Sequence, residues 1–486
     1  MATYMNRWRR VAQWGALTLG VIMLSACGGG GDSSVTTVSG PGLSSLGASP
    51  PVSLFTTLMP FVQKSNNLKV EVNGGPLRAF SLGGSANILY AEVKVCELPD
   101  PHPSNLSTPP KCVTIPNVLV DTGSVGLRVF AKSVTDAGLV LPPVSTPEGG
   151  EAWECYAFVI GGLWGRNAVA DVTLGQQVAQ NIPIQLIQND VGPAAPADCV
   201  TKADGTTVDI MSSVDQLGAN GILGIGDTEI DCGIGCVDYY NCPANATATA
   251  VCAVTALGVA FQVYNPVAAF PIHNNGVVLA LPAVPFPGAV TATGELIFGI
   301  DTSNADTGAA NNMRPSAAAT VQLGTTYPSN SYLNITTTYN GLPPLTNSYL
   351  DTGTNGLFFS DNIRLCPVDP SQPPSPWYCP IDASNRAISL VTHASLSDGD
   401  NPSQNQTVVL FTVENADALF STTNTAFGGL AGAPPPGPSA GTTFAWGLPF
   451  FYGRRVFLSI WQPSKAGGPS SPPCSPGKPC YAWETL

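Results

Sequence analysis

Histidine and charge are what this sequence has least of. His102, His273 and His393 are the three histidines of 486 residues, each isolated beside proline, asparagine or loop-like sequence. A zinc site and a serine–histidine triad both need a positioned imidazole, so neither chemistry is expected, and no metal or other cofactor is assigned. No glycine loop of the P-loop or dinucleotide type occurs either. Charged residues are only 10% of the chain, and Asp and Glu outnumber Lys and Arg by 32 to 19. The acidic balance argues against nucleic acid or anionic lipid as a partner. Sustained 3.6-residue periodicity is missing too, which disfavours a helical protein.

What the chain does have is glycine (51) and proline (45), with frequent serine and threonine. That profile suits many short strands joined by turns. Alternating apolar segments are found at 68–72, 89–95, 170–174 and 333–339, and each reads as a strand. Proline-rich pieces at 97–111, 367–380, 433–438 and 463–479 read as loops. The length supports about two domains at ~150 residues each. The predicted class is all-β.

Residues 1–26 have the form of an export signal. Arg7, Arg9 and Arg10 precede an apolar run from Trp14 to Leu24, shorter than the ~20 residues of a membrane span. The run ends in Leu24-Ser25-Ala26-Cys27 ahead of four glycines, which resembles the bacterial lipobox. Cys27 is therefore the expected lipidation site, and residues 27–65, rich in Gly, Ser and Pro, the expected tether. The thirteen cysteines, less Cys27, leave an even set that permits disulfides in an oxidising compartment. Local pairs are predicted for Cys96–Cys112, Cys366–Cys379 and Cys474–Cys480. Cys232, Cys236, Cys242 and Cys252 could form a metal knot, but export favours two disulfides; their connectivity, like that of Cys155 and Cys199, is open.

One pattern occurs twice. Val118-Leu119-Val120-Asp121-Thr122-Gly123-Ser124, continuing to Gly126-Leu127, returns as Ser348-Tyr349-Leu350-Asp351-Thr352-Gly353-Thr354, continuing to Gly356-Leu357. An apolar strand that delivers an acid into a glycine-bearing turn fixes a carboxylate in space, and two copies suggest two similar lobes. With Asn220–Gly226, Gly294–Asp301 and Trp446–Tyr452 following in order, the chain resembles the pepsin-like aspartic proteases, probing a looser likeness to an exported bacterial branch. The resemblance covers roughly residues 85 to 462.

It implies a two-lobed double β-barrel with the active cleft between lobes, at 66–303 and 304–486. It implies an aspartic endopeptidase in which Asp121 and Asp351 share a proton and activate a water on a peptide or protein substrate. Gly123 and Gly353 then allow close backbone approach, Ser124 and Thr354 bond the outer carboxylate oxygens, and Thr122 and Thr352 lock the loops together. The resemblance also implies a flap hairpin at about 153–175. Its tyrosine falls near Phe158, with Tyr156 two residues earlier and Trp153 and Trp164 as alternatives. The tryptophan that partners that tyrosine in the family is here Arg128. This departure keeps open a second reading, a catalytically inactive pepsin-fold binding protein of the cell envelope. The expected setting is a monomer in the bacterial envelope, anchored by lipid to the outer membrane.

Overall fold

The computed structural model describes residues 66–79, 85–99, 109–158, 161–189, 192–200, 207, 209–233, 236–300, 319–323, 334–367, 375–434, 441–461 and 479–486. The expected export signal, Cys27, the expected tether and Cys474 lie outside the described residues. Among the described residues twenty-two strands carry the fold, and the longest helices, Ala131–Thr135 and Ala416–Phe420, have five residues. The protein is all-β, as its turn-rich composition predicts. No helix among the described residues is long and apolar enough to cross a membrane.

In chain order the first strands are β1 (Asn67–Val72), β2 (Tyr90–Cys96), β3 (Cys112–Asp121), β4 (Val125–Phe130), β5 (Glu151–Ala157), β6 (Gly162–Leu174) and β7 (Gln177–Ile187). They are followed by β8 (Gly221–Ile225), β9 (Tyr239–Cys242), β10 (Ala253–Val254), β11 (Gly276–Leu281) and β12 (Ala292–Phe298). The alternation read at 68–72 is real: Leu68, Val70 and Val72 are buried while Lys69 is exposed. Strands β6, β7, β4, β8, β3 and β2 pair in that order, and β2 pairs back onto β6. This closes a barrel and leaves those strands no free edge. Its interior is aliphatic, including Val93, Val118, Val120, Leu127, Val129, Ala170, Ile184 and Leu223, all at most 5% exposed.

The remaining strands are β13 (Ala319–Gln322), β14 (Ile335–Tyr339), β15 (Leu345–Leu350), β16 (Leu357–Phe358), β17 (Leu390–Ser397) and β18 (Thr407–Val413). The last four are β19 (Ala431–Gly432), β20 (Ala445–Trp446), β21 (Arg454–Ser459) and β22 (Cys480–Thr485). Strands β18-β17-β14-β15-β20-β16-β19 form the second lobe's sheet. Its core is aromatic: Phe359 stacks on Phe444 at 4.7 Å and Phe444 on Trp446 at 4.1 Å. The first sheet continues past residue 303, because β11 pairs with β21 and β21 with β22. A shared sheet thus joins the two lobes.

The repeated motif has the same topology twice. In the first lobe β8 lies between β3 and β4, parallel to one and antiparallel to the other. In the second, β20 lies in the same way between β15 and β16. The inserted strand fits only where it lacks a side chain. A Cβ on Gly224 would stand 2.7 Å from the backbone N and C of Val125, and one on Gly447 would stand 2.4 Å from Thr354 O. Gly224→Ala is expected to lower stability by about 2–3 kcal/mol through this overpacking, measured as a lower midpoint of denaturant unfolding. An unchanged midpoint would mean that the strands are not so tightly wedged.

Five disulfides stand among the described residues. Cys96–Cys112 and Cys366–Cys379 are the pairs predicted. The cluster expected to favour disulfides over metal resolves into Cys232–Cys236 and Cys242–Cys252, and Cys155 joins Cys199. Cys480 is disulfide-bonded; its predicted partner lies outside the described residues. Disulfides in this number mark an oxidising compartment, hence an exported protein.

Candidate active site

Strand β3 ends on Asp121, opposite Gly224 of β8. Strand β15 ends one residue short of Asp351, whose N–H donates to Trp446 O at 3.0 Å. Each acid thus leaves its strand at a point pinned by the inserted neighbour. The two turns are near-copies in their hydrogen bonds. Gly123 N–H donates to Asp121 Oδ1 at 2.8 Å, and Gly353 N–H to Asp351 Oδ1 at 2.7 Å. Ser124 Oγ donates to Asp121 Oδ2 at 2.5 Å, and Thr354 Oγ1 to Asp351 Oδ2 at 2.6 Å.

The threonines cross between lobes. Thr122 N–H donates to Thr352 Oγ1 at 3.1 Å, and Thr352 N–H donates to Thr122 Oγ1 at 3.0 Å. Thr352 Oγ1 passes its own proton on to Val120 O at 2.7 Å. Three of the four hydroxyl residues, Thr122, Ser124 and Thr352, are buried, so these bonds work in a low dielectric and fix both loops.

The glycines permit the approach of the acids. A Cβ on Gly123 would lie 2.8 Å from Asp351 Oδ1, and a Cβ on Gly353 would lie 2.6 Å from Asp121 Oδ1. Each motif's glycine therefore faces the other motif's carboxylate, and the two carboxyl groups hydrogen-bond each other. Asp121 is 5% exposed. Burial, and then the Asp351 carboxylate beside it, push its carboxyl well above the ordinary range. Two acids so placed hold one proton between them, which equips the pair to give and take protons at one point.

The expected flap is a hairpin of β5 and β6, with Tyr156 opposite Leu163 and the turn closed by Phe158 N–H to Gly161 O at 2.7 Å. It is not a free hairpin. The outer edge of β5 pairs with β9, and β9 with β10, while Cys155–Cys199 ties β5 to the short helix Ala197–Val200. Trp153 and Trp164 pack on each other at 5.3 Å, and Trp164 packs on Tyr240, which gives them a structural role in the hairpin. Phe158 joins the apolar cluster of Leu119, Ile222, Met211 and Leu217. Tyr156 lies 4.8 Å from the Phe158 ring and faces Arg128, whose Cζ is 3.6 Å from its ring centroid. The residue that departs from the family pattern is therefore in contact with the tyrosine at issue.

Two features escaped the sequence reading. Asn87, with φ of 51°, reaches from the first lobe to the second: its Nδ2 donates to Asn355 O and Phe427 O, and its Oδ1 accepts from Phe427 N–H and Tyr452 Oη. Asn355 follows directly on the second motif, so Asn87 holds that loop from across the cleft. Its partners lie 268 to 365 residues away, which no local pattern reveals. Glu154 and Asp231, buried on Arg128, are the second; the only local signal was an acid set in the otherwise apolar Ala152–Tyr156.

A family model described as a protein of unknown function (DUF3443) matches residues 62–474. The chain belongs to that family. Among solved structures, an aspartic proteinase from Irpex lacteus is similar to it at 14% identity and a TM-score of 0.41, over 86% of this chain and 97% of that one. No curated protein matches the sequence.

Proposed function

We propose that this protein is an aspartic endopeptidase. The observation that carries the reading is the acid pair: two carboxyls hydrogen-bonded to each other, each with its inner oxygen on a glycine N–H and its outer oxygen on a hydroxyl. In this mechanism the ionised member of the pair takes a proton from a bound water, whose oxygen attacks the peptide carbonyl carbon. The protonated member gives its proton to the carbonyl oxygen. The acid that took the water's proton then gives it to the amide nitrogen, the C–N bond breaks, and one hydroxyl of the tetrahedral intermediate returns its proton to the other acid, so that the pair again shares one proton. Ser124 and Thr354 keep the outer oxygens from turning away, and the threonine cross-links hold the distance between lobes.

Leu119 and Ile222 stand opposite each other on β3 and β8, close to Asp121, and share a cluster with Phe158. These buried side chains pack beneath the end of β3 that carries Asp121. The protein works as a monomer at the bacterial envelope, held to the outer membrane by a lipid on Cys27. The buried, ring-stacked Arg128 favours an intact flap over the inactive binding protein.

The test is cleavage of an unfolded protein by the chain lacking residues 1–26, assayed between about pH 3 and 7, where a shared carboxyl proton is available. Cleavage blocked by pepstatin is expected. Its absence at every pH, or cleavage that pepstatin leaves untouched, would sink the proposal.

A further inference from the structure

Arg128 is 0% exposed, and a guanidinium so deep in a protein needs partners for its charge. Its Nη2 donates to Glu154 Oε1 at 2.7 Å and to Asp231 Oδ2 at 2.8 Å. Its Nη1 donates to Val125 O at 2.5 Å. The planar face of the same group is covered by the Tyr156 ring. Val125 is the residue after Ser124, inside the turn that presents Asp121; Glu154 and Tyr156 are on the flap strand β5.

The ring of contacts closes. Asp231 accepts from Tyr239 Oη at 2.9 Å, and that hydroxyl accepts from Val263 N–H at 2.8 Å. The Val263 side chain lies against Gly126, where a Cβ would meet it at 2.2 Å. Resting on the aspartic-peptidase reading, we propose that Arg128 is a positioning residue that couples the flap, through Tyr156 and Glu154, to the loop that holds Asp121. Only a planar cation serves both ends at once, since the edge bonds the carbonyl and carboxylates while the face takes the ring.

One guanidinium faces Glu154 and Asp231, with Asp238, Tyr239 and Tyr156 also within electrostatic reach. Burial, and then the Glu154 charge, push the Asp231 carboxyl well above the ordinary carboxylate range. Removing the cation would leave this acid pair buried alone, which is why one substitution here should be felt at both the flap and the acid loop.

Two variants and one control test the coupling by hydrogen exchange and by steady-state kinetics. Arg128→Lys keeps the charge and loses the plane; Tyr156→Ala loses the ring at a half-buried position and should fold even where the lysine variant does not. In either variant the amides of Cys155 and Tyr156 should exchange at least about tenfold faster, and kcat should fall at least about tenfold with a smaller change in KM. Tyr240→Phe on the neighbouring strand should change neither, whereas Tyr156→Phe, which keeps the ring, should retain slow exchange. Unchanged flap exchange and unchanged kcat in Tyr156→Ala would overturn the coupling even if the enzyme is active. Faster exchange in a protein that cleaves nothing would uphold the coupling and overturn the peptidase reading instead.

Discussion

Asp121→Asn should stop peptide hydrolysis, by about 10³-fold or more, in a protein that remains folded. The amide is nearly isosteric with the carboxyl and can still accept from Gly123 N–H, so the turn keeps its shape. What it cannot do is release or take up the proton that the pair shares. The same change should leave the variant as stable as the wild type at neutral pH, or more so. Wild-type Asp121 resists ionisation because it is buried beside Asp351, and an amide never has to ionise there. Thermal melting at pH about 7 and a peptide-cleavage assay check both halves. Cleavage that survives in the folded variant would remove Asp121 from the mechanism. A variant that unfolds would show instead that the acid's place in the turn is structural.

The second large expectation concerns pH. Burial pushes the carboxyls of Asp227 and Asp238 up to about 6, from an ordinary 3.8. Asp121 and Asp231 are raised well above that ordinary value, and Glu414 is raised by burial as well. A carboxyl whose folded pKa exceeds its unfolded one binds its proton more tightly in the native state. Its stabilisation is complete below the unfolded value and is lost as pH rises through the folded one. For Asp227 and Asp238 that window runs from 3.8 to about 6. After a discount for solvent screening, each contributes on the order of 2 kcal/mol.

Hydrogen bonds from Val140, Thr255 and Arg386 hold Glu97, Glu148 and Asp382 below the ordinary range, which acts in the opposite sense. Those carboxylates are at the surface and titrate at lower pH, so they blunt the trend only in stronger acid. The melting temperature should therefore climb as pH falls from about 7 to about 5. In Asp227→Asn the climb should be shallower. A melting temperature that is flat or falling over that interval would show that these carboxyls are ionised in the native protein.

The sequence by itself determined a good deal. Low charge with abundant glycine and proline fixed an all-β chain, because such a composition supplies turns and strands but few helix formers. The duplicated Asp-Thr-Gly pattern located both acids and the residues that hydrogen-bond them, since every contact within a turn spans three residues or fewer. Cys96–Cys112 and Cys366–Cys379 were legible for the same reason: their loops are short.

Only the tertiary structure decided how the two turns meet. That Gly123 faces Asp351 and Gly353 faces Asp121 depends on two strands brought together by the rest of the fold. It also decided what surrounds Arg128. A cation in an apolar strand reads as a flaw until Glu154, Asp231 and the Tyr156 ring are seen around it. Those partners come from separate strands and loops, and a one-dimensional pattern carries no term for charges that neutralise each other across a barrel wall.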